Sequence, residues 1–217
     1  MDIAKITTKP KSILVINAAR LSIASGVLFV ILLGSLHLLE PEYDPTWSFI
    51  SEYALGDFGW MMQLAFLLMA TSLVSCVVSV FSQLRSILGY IGLAVLLISA
   101  VGLFISAMFN TDPITFSQDE YTFSGKMHVL GASLEYTPIA ALLISIALAR
   151  IEAWRIIRTR LMITSAIMLL LLIAFILFLP FDGKFGPGVY TGLVGRFMIV
   201  SYVPWLITIG YYILNKR

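Results

Sequence analysis

His37, Asp44, Ser51, Glu52, Asp112, His128, Glu135, Asp182 and Arg196 are the residues of this chain whose types could do chemistry. Two histidines can serve as base, acid or metal ligand near neutral pH, carboxylates can bind cations or move protons, and an arginine can hold an oxyanion in a bidentate fork. Nearly all of them fall beside the first, third and fifth connections between long apolar runs, whereas the arginine-rich stretches flank the other connections.

Six such runs carry the chain: about 14–39, 60–82, 87–109, 126–149, 161–180 and 190–213. Each supplies the roughly 20 apolar residues that cross a hydrocarbon core. With 59% hydrophobic and 12% charged residues and a mean hydropathy of +0.97, the composition describes an all-α integral membrane protein, one six-helix domain over 1–217. Basic residues are retained on the cytoplasmic side. Lys5, Lys9, Lys11 and Arg20, then Arg85, then Arg150, Arg155, Arg158 and Arg160, then Lys216 and Arg217 therefore lie inside, with both termini cytoplasmic. The opposite connections hold Glu40, Glu42, Asp44, Glu52 and Asp57, then Asp112, Asp119 and Glu120, then Asp182 with Lys184.

The net charge of +2 thus sums a basic inner rim and an acidic outer rim and does not imply nucleic acid. Topology and anionic headgroups account for the inner arginines. Cys76, the single cysteine, lies in the second run, so no intramolecular disulfide is expected. The first run is long enough to span and has no small-x-small cleavage pattern, so it is expected to stay as an anchor. A bacterial or archaeal plasma membrane is the default location, with membrane lipid as partner and a homo-oligomer as one arrangement.

The acidic connections look repeated. Asp44-Pro45 precedes Glu52-Tyr53 at the spacing with which Asp112-Pro113 precedes Glu120-Tyr121, so D-P-x6-E-Y occurs twice, and Asp182 follows Pro180 and Phe181 in the fifth connection. Three helical-hairpin repeats would give this arrangement. Equally, Asp-Pro is a good helix start. On that reading residues 45–56 form a short interfacial helix within the outer loop 40–59, with Trp47, Phe49, Ile50, Tyr53, Leu55 and Phe58 as its amphipathic contacts. A loop of that length is also long enough to be a lid.

His37 and His128 are expected at one membrane depth. Glu135, seven residues past His128, would share its helix face about 10 Å deeper, and Pro138 would kink that helix and open space. Arg196 needs a partner: Asp112, Glu52 and Glu135 are the available anions, with a substrate phosphate or carboxylate as the alternative. Gly192 and Gly195 would allow close helix approach. Two histidines plus carboxylates could make a divalent-metal site, but no H-E-x-x-H or other local ligand spacing supports one, and no cofactor is predicted. Ser51 lacks a G-x-S-x-G context. Polar groups thin out toward the inner half, so no continuous transport route is evident.

The chain resembles a mainly prokaryotic membrane family, domain of unknown function number 998. The resemblance rests on His37, Asp44-Pro45, I-S-E-Y-A-L-G at Ile50–Gly56, Gly59-Trp60-Met61-Met62, F-x-T-D-P at Phe109–Pro113, G-x-x-H at Gly125–His128, and G-L-x-x-R at Gly192–Arg196 with Trp205. It implies a six-helix membrane protein and marks His37, Asp44, Ser51, Glu52, Asp112, His128 and Arg196 as motif positions; it carries no activity with it, and Glu135 lies outside the pattern.

Three functions fit the residues. An outer-leaflet site can bind a lipid or other anionic amphiphile, with Arg196 on the anion, His128 and His37 as hydrogen-bonding or acid/base groups, and Glu52 and Asp112 ordering the loops or pairing with Arg196. A lipid-modifying or hydrolytic enzyme can use the same residues, with His128 as general base. Or the charges lock helices in a structural or assembly subunit.

Overall fold

The computed structural model describes residues 12–215; Lys5, Lys9, Lys11, Lys216 and Arg217, which entered the orientation argument, lie outside them. Every regular element among the described residues is helical. Six stretches are long and apolar enough to cross a membrane: Ile13–Leu39, Gly59–Gln83, Ile87–Met108, Phe123–Ala149, Glu152–Leu177 and Thr191–Asn215. The expected six-helix architecture is therefore present.

The first three spans are α1 (Ile13–Leu39), α2 (Gly59–Val80) and α3 (Ile87–Met108). The fourth is divided into α4 (Phe123–Ser133) and α5 (Thr137–Ala149), the fifth is α6 (Arg158–Leu177), and the sixth is divided into α7 (Thr191–Val200) and α8 (Tyr202–Asn215). Each span packs on its chain neighbours, and α8 returns to α1, closing a ring. α2 also touches α8 across that ring. Small residues permit the close crossings: Ser72 donates to the Ser22 carbonyl at 2.6 Å, and a Cβ on Gly102 would lie 2.4 Å from the Gly131 carbonyl oxygen.

Both divided spans have a proline cause. Pro138 offers no N–H and stands at the start of α5, so the fourth span pauses over residues 134–136. There Tyr136 N–H is taken by Ser99 Oγ of α3 at 2.9 Å and Thr137 N–H by Glu135 Oε1 at 2.9 Å. His128 and Glu135 consequently do not ride one continuous helix face, as the seven-residue spacing predicts; Glu135 sits in the break and caps α5. Pro204 does the same to the sixth span. Its ring conflicts with the carbonyl four residues earlier, that of Val200, which is where α7 ends. Trp205 Nε1 then donates to Ser145 Oγ at 2.9 Å, tying α8 to α5.

The first acidic connection is not a helix over 45–56. Asp44 and Pro45 start a turn in which Ser48 N–H meets the Asp44 carbonyl at 3.0 Å, and only Ile50–Leu55 winds into a 3₁₀ segment. Ser51, Glu52, Tyr53 and Ala54 are buried in it. The loop thus folds inward as a plug over the end of the bundle, because Tyr53 and Ala54 find apolar partners there while the backbone of residues 46–48 reaches α7.

Candidate functional site

Arg196 organises the acidic end of the molecule. Its side chain is only 6% exposed, and it donates from Nε to His37 Nε2 at 2.9 Å, from Nη1 to the Ser48 carbonyl at 2.5 Å and the Gly192 carbonyl at 3.1 Å, and from Nη2 to Tyr53 Oη at 3.2 Å. The guanidinium also lies 5.4 Å from the Tyr53 ring centre, a cation–π distance. These partners are all neutral. Neither Glu52, Asp112 nor Glu135 makes an ion pair with it, and the ion pair seen among the described residues is Arg155–Glu152, elsewhere.

The same contacts fix the tautomer of His37. Its Nδ1 is 2.7 Å from the Leu33 carbonyl, an acceptor, so Nδ1 carries the hydrogen and Nε2 offers its lone pair to Arg196. His37 is therefore committed twice over, and its ring packs at 5.4 Å on Tyr53.

Glu52 and Asp112 work on the loops. Glu52 reaches back to Phe49 N–H at 3.2 Å with one oxygen and across to Ile114 N–H at 3.0 Å with the other, joining the first acidic connection to the third. Asp112 accepts from Thr122 N–H at 2.7 Å and from Thr122 Oγ1 at 2.9 Å, closing the third connection ahead of α4. A Cβ on Gly125 would stand 1.9 Å from Asp112 Oδ2, which explains why glycine opens the G-x-x-H stretch. Asp44 makes only a local turn, accepting from Thr46 N–H at 2.8 Å and Thr46 Oγ1 at 2.6 Å. The two D-P-x6-E-Y copies thus differ in their contacts, since Glu120 is exposed and bonds locally to Ser117. Asp182 accepts from Lys184 N–H in an exposed turn, away from this site.

Three residues of this end carry no clear signal in the sequence. Glu40 takes Phe58 N–H at 2.6 Å while its other oxygen is buried and unpartnered, and a Cβ on Gly56 would strike its carboxyl at 2.4 Å. Gln63 Nε2 donates to Asn110 Oδ1 at 2.7 Å, and Asn110 Nδ2 to the Ala54 carbonyl at 3.3 Å. Neutral amides inside apolar runs would have been the sign of such a cross-link.

Burial pushes the Glu52 carboxyl above the ordinary carboxylate range, against the lowering pull of its two backbone donors, Ser48 and Arg196. Burial raises Glu40 as well, with Glu42 and Asp57 adding to it. A raised carboxyl holds its proton more tightly folded than unfolded. Stability should therefore fall as pH rises from the ordinary carboxylate value through the raised one, and level off above it. Asp44, lowered by the Thr46 hydrogen bonds, contributes oppositely, losing stability as pH drops through its folded value. Glu52→Gln should flatten the falling limb. It should also cost about 1–2 kcal/mol, because an amide cannot accept from both N–H groups. Melting in detergent across pH 4–8 checks this; an unchanged limb would assign the slope to other groups.

Beneath this plug lies a cavity of about 220 Å³ between α2, α3, α4, α6 and α7, with apolar walls including Phe66, Leu103, Phe175 and Ile199, and with Ser51, His128 and Glu135 on its lining. His128, at 4% exposure, donates Nδ1–H toward the Phe109 carbonyl at 2.8 Å and the Ser106 carbonyl at 3.2 Å. Its Nε2 has no hydrogen-bond partner among the described residues. Glu135 Oε2, Thr137 Oγ1 and Tyr202 Oη are buried beside one another, so the breaks of the fourth and sixth spans meet here.

The structure therefore splits the expected cluster in two. His37, Arg196 and Tyr53, with Glu52 beside them, form a packed network, whereas His128, Ser51 and Glu135 share the cavity. Among the described residues no three His, Cys, Asp or Glu side chains converge as metal ligands. Comparison with known proteins returns no match among curated proteins and none among solved structures. One family model does match, over residues 23–212, which reaches into all six spans and covers all the motif positions above. The chain belongs to that family, described as Protein of unknown function (DUF998).

Proposed function

We propose that this integral membrane protein binds a lipid or other amphiphile in the cavity under the first acidic loop, at the level of the outer leaflet. The observation that carries the reading is the make-up of that cavity: apolar walls joined to a few polar groups, His128, Ser51 and Glu135, at one end of a membrane bundle. The head it suits is one that hydrogen-bonds to His128 Nε2 and the Glu135 carboxyl. An anionic head is the less suited choice, because Arg196, the residue that would have held it, already serves His37, Ser48, Gly192 and Tyr53.

The test is native mass spectrometry with lipid extraction on wild type and Ala132→Phe, since Ala132 lines the cavity and a phenyl ring would fill it. A defined amphiphile should accompany wild type and be strongly depleted in the variant, at matched melting temperature. Equal retention by both proteins, or no bound species in wild type, would refute the reading. Elemental analysis of the same sample decides the metal question, and a stoichiometric divalent ion would favour a metal hydrolase.

One observation favours a second reading, a hydrolytic or lipid-modifying enzyme. With Nδ1–H anchored on two backbone carbonyls, His128 keeps the Nε2 lone pair free, and it lines the cavity together with Ser51, which suits a general base. Turnover of an extracted lipid that rises with pH and is abolished in His128→Gln, with binding retained, would select the enzyme.

A further inference from the structure

At the opposite, arginine-rich end, a pocket of about 430 Å³ opens where α5 stops and α6 begins, lined by Arg150, Arg155 and Arg158 together with Ile146, Ile151 and Met162. We propose that it is a headgroup site for an anionic phospholipid. This is independent of the cavity reading, which concerns other residues at the other end.

The local backbone aims the arginines. Arg150 caps α5, Arg158 is the first residue of α6, and Arg155 lies in the 3₁₀ segment Glu152–Ile157 between them. Trp154, fully buried, anchors that segment by packing on Tyr212 of α8 at 4.6 Å between ring centres. With the indole held inward, Arg155 and the 84%-exposed Ile156 turn outward.

Charge is left over. Glu152, also on the lining, pairs with Arg155 at 3.4 Å, and both side chains are well exposed. Arg150 and Arg158 make no ion pair among the described residues, so three cations face one carboxylate. Guanidinium forks suit a phosphodiester, and the first turn of α6 adds the positive end of its dipole. Basic residues at this end are explained generically by topology; a shared pocket with an aliphatic floor is not. That floor, Ile146, Ile151 and Met162, offers an aliphatic contact that a free phosphate would not need.

The experiment is a native mass-spectrometric titration of delipidated full-length protein with phosphatidylglycerol and, separately, phosphatidylcholine. It compares wild type with Arg150→Gln/Arg155→Gln/Arg158→Gln and with the corresponding triple Lys variant, which keeps the charge count. Wild type should prefer phosphatidylglycerol. Each arginine neutralised should lower that preference by about fivefold, and the Lys variant should retain only part of it, having charge without the fork. If the triple Gln variant melts early, the single Arg150→Gln and Arg158→Gln variants serve. Equal binding of the two lipids by wild type, or unchanged preference in the Gln variants, overturns the proposal. So does inorganic phosphate binding as tightly as phosphatidylglycerol, which would make the site one for a soluble anion.

Discussion

Arg196→Ala should lower stability in detergent by about 3–5 kcal/mol, because several hydrogen bonds to a charged donor are lost at about 1.5–3 kcal/mol each, which for a chain of this size corresponds to roughly 10 °C in melting temperature. The alanine leaves His37 Nε2, the Ser48 carbonyl and Tyr53 Oη without their donor, and buried polar atoms left unmade cost about 1–3 kcal/mol each. It also opens a void beneath the plug. Arg196→Lys should recover little, because a single ammonium cannot donate in the directions that Nε, Nη1 and Nη2 now serve. Intrinsic-fluorescence melting of the three proteins checks this. Were Arg196→Ala to melt like wild type and lose only a bound species, the arginine would be a ligand-holding group after all.

The same outcome decides what the buried polar cluster around Arg196 does. Its charge is spent on neutral protein acceptors, and such a network fixes the first acidic loop against α1 and α7. A protein that binds an amphiphile under that loop needs the loop in register, so the structural-subunit reading and the binding reading share Arg196; they part at Ala132 and His128, which contribute little to the network.

Much of the fold was legible because membrane spans are read from length and hydropathy alone, and the six runs needed no tertiary information. A bend at Pro138 was legible too, though not that it would take Glu135 off the helix face of His128. Pro204 gives the same signal in the sixth span, and its effect at Val200 follows from the same clash. What could not be read was partner choice. Arg196, His37, Glu52 and Asp112 share one end of the bundle in the sequence, but whether an arginine meets a carboxylate or a carbonyl depends on loop paths a few ångströms apart. The plug brings the Ser48 carbonyl to the guanidinium and sends Glu52 toward Ile114 instead. Glu40 was hidden for a similar reason: among five acidic residues of the first connection, nothing local shows that Glu40 joins Glu52 in being buried. Gly192 was marked as a site of close helix approach, and the partner proves to be the loop backbone, while Gly195 does face a neighbouring helix through the Phe175 ring.

Gly192→Ala is expected to have the second large effect, and for a reason that a surface glycine would not give. A Cβ there would lie 2.5 Å from the Ser48 carbonyl oxygen, 2.8 Å from the Trp47 carbonyl carbon and 3.0 Å from the Thr46 carbonyl oxygen, all of them backbone atoms. No side-chain rotamer relieves such a contact, so the first turn of α7 or residues 46–48 must move. Movement breaks the Leu193 N–H bond to the Thr46 carbonyl, at 3.0 Å, and shifts the Ser48 carbonyl off Arg196. Overpacking of this kind costs about 1–3 kcal/mol, and the better helix propensity of alanine returns no more than about 1 kcal/mol. Because Gly192 and Arg196 hold the same piece of loop, their losses should not add. The double variant Gly192→Ala/Arg196→Ala should melt well above the temperature that summed single effects give, and hydrogen exchange should rise over 46–58 in each variant while α2 and α3 stay protected. Additive losses would mean that the arginine network and the glycine contact stabilise separate parts of the molecule, and that the plug is held at two independent points rather than one.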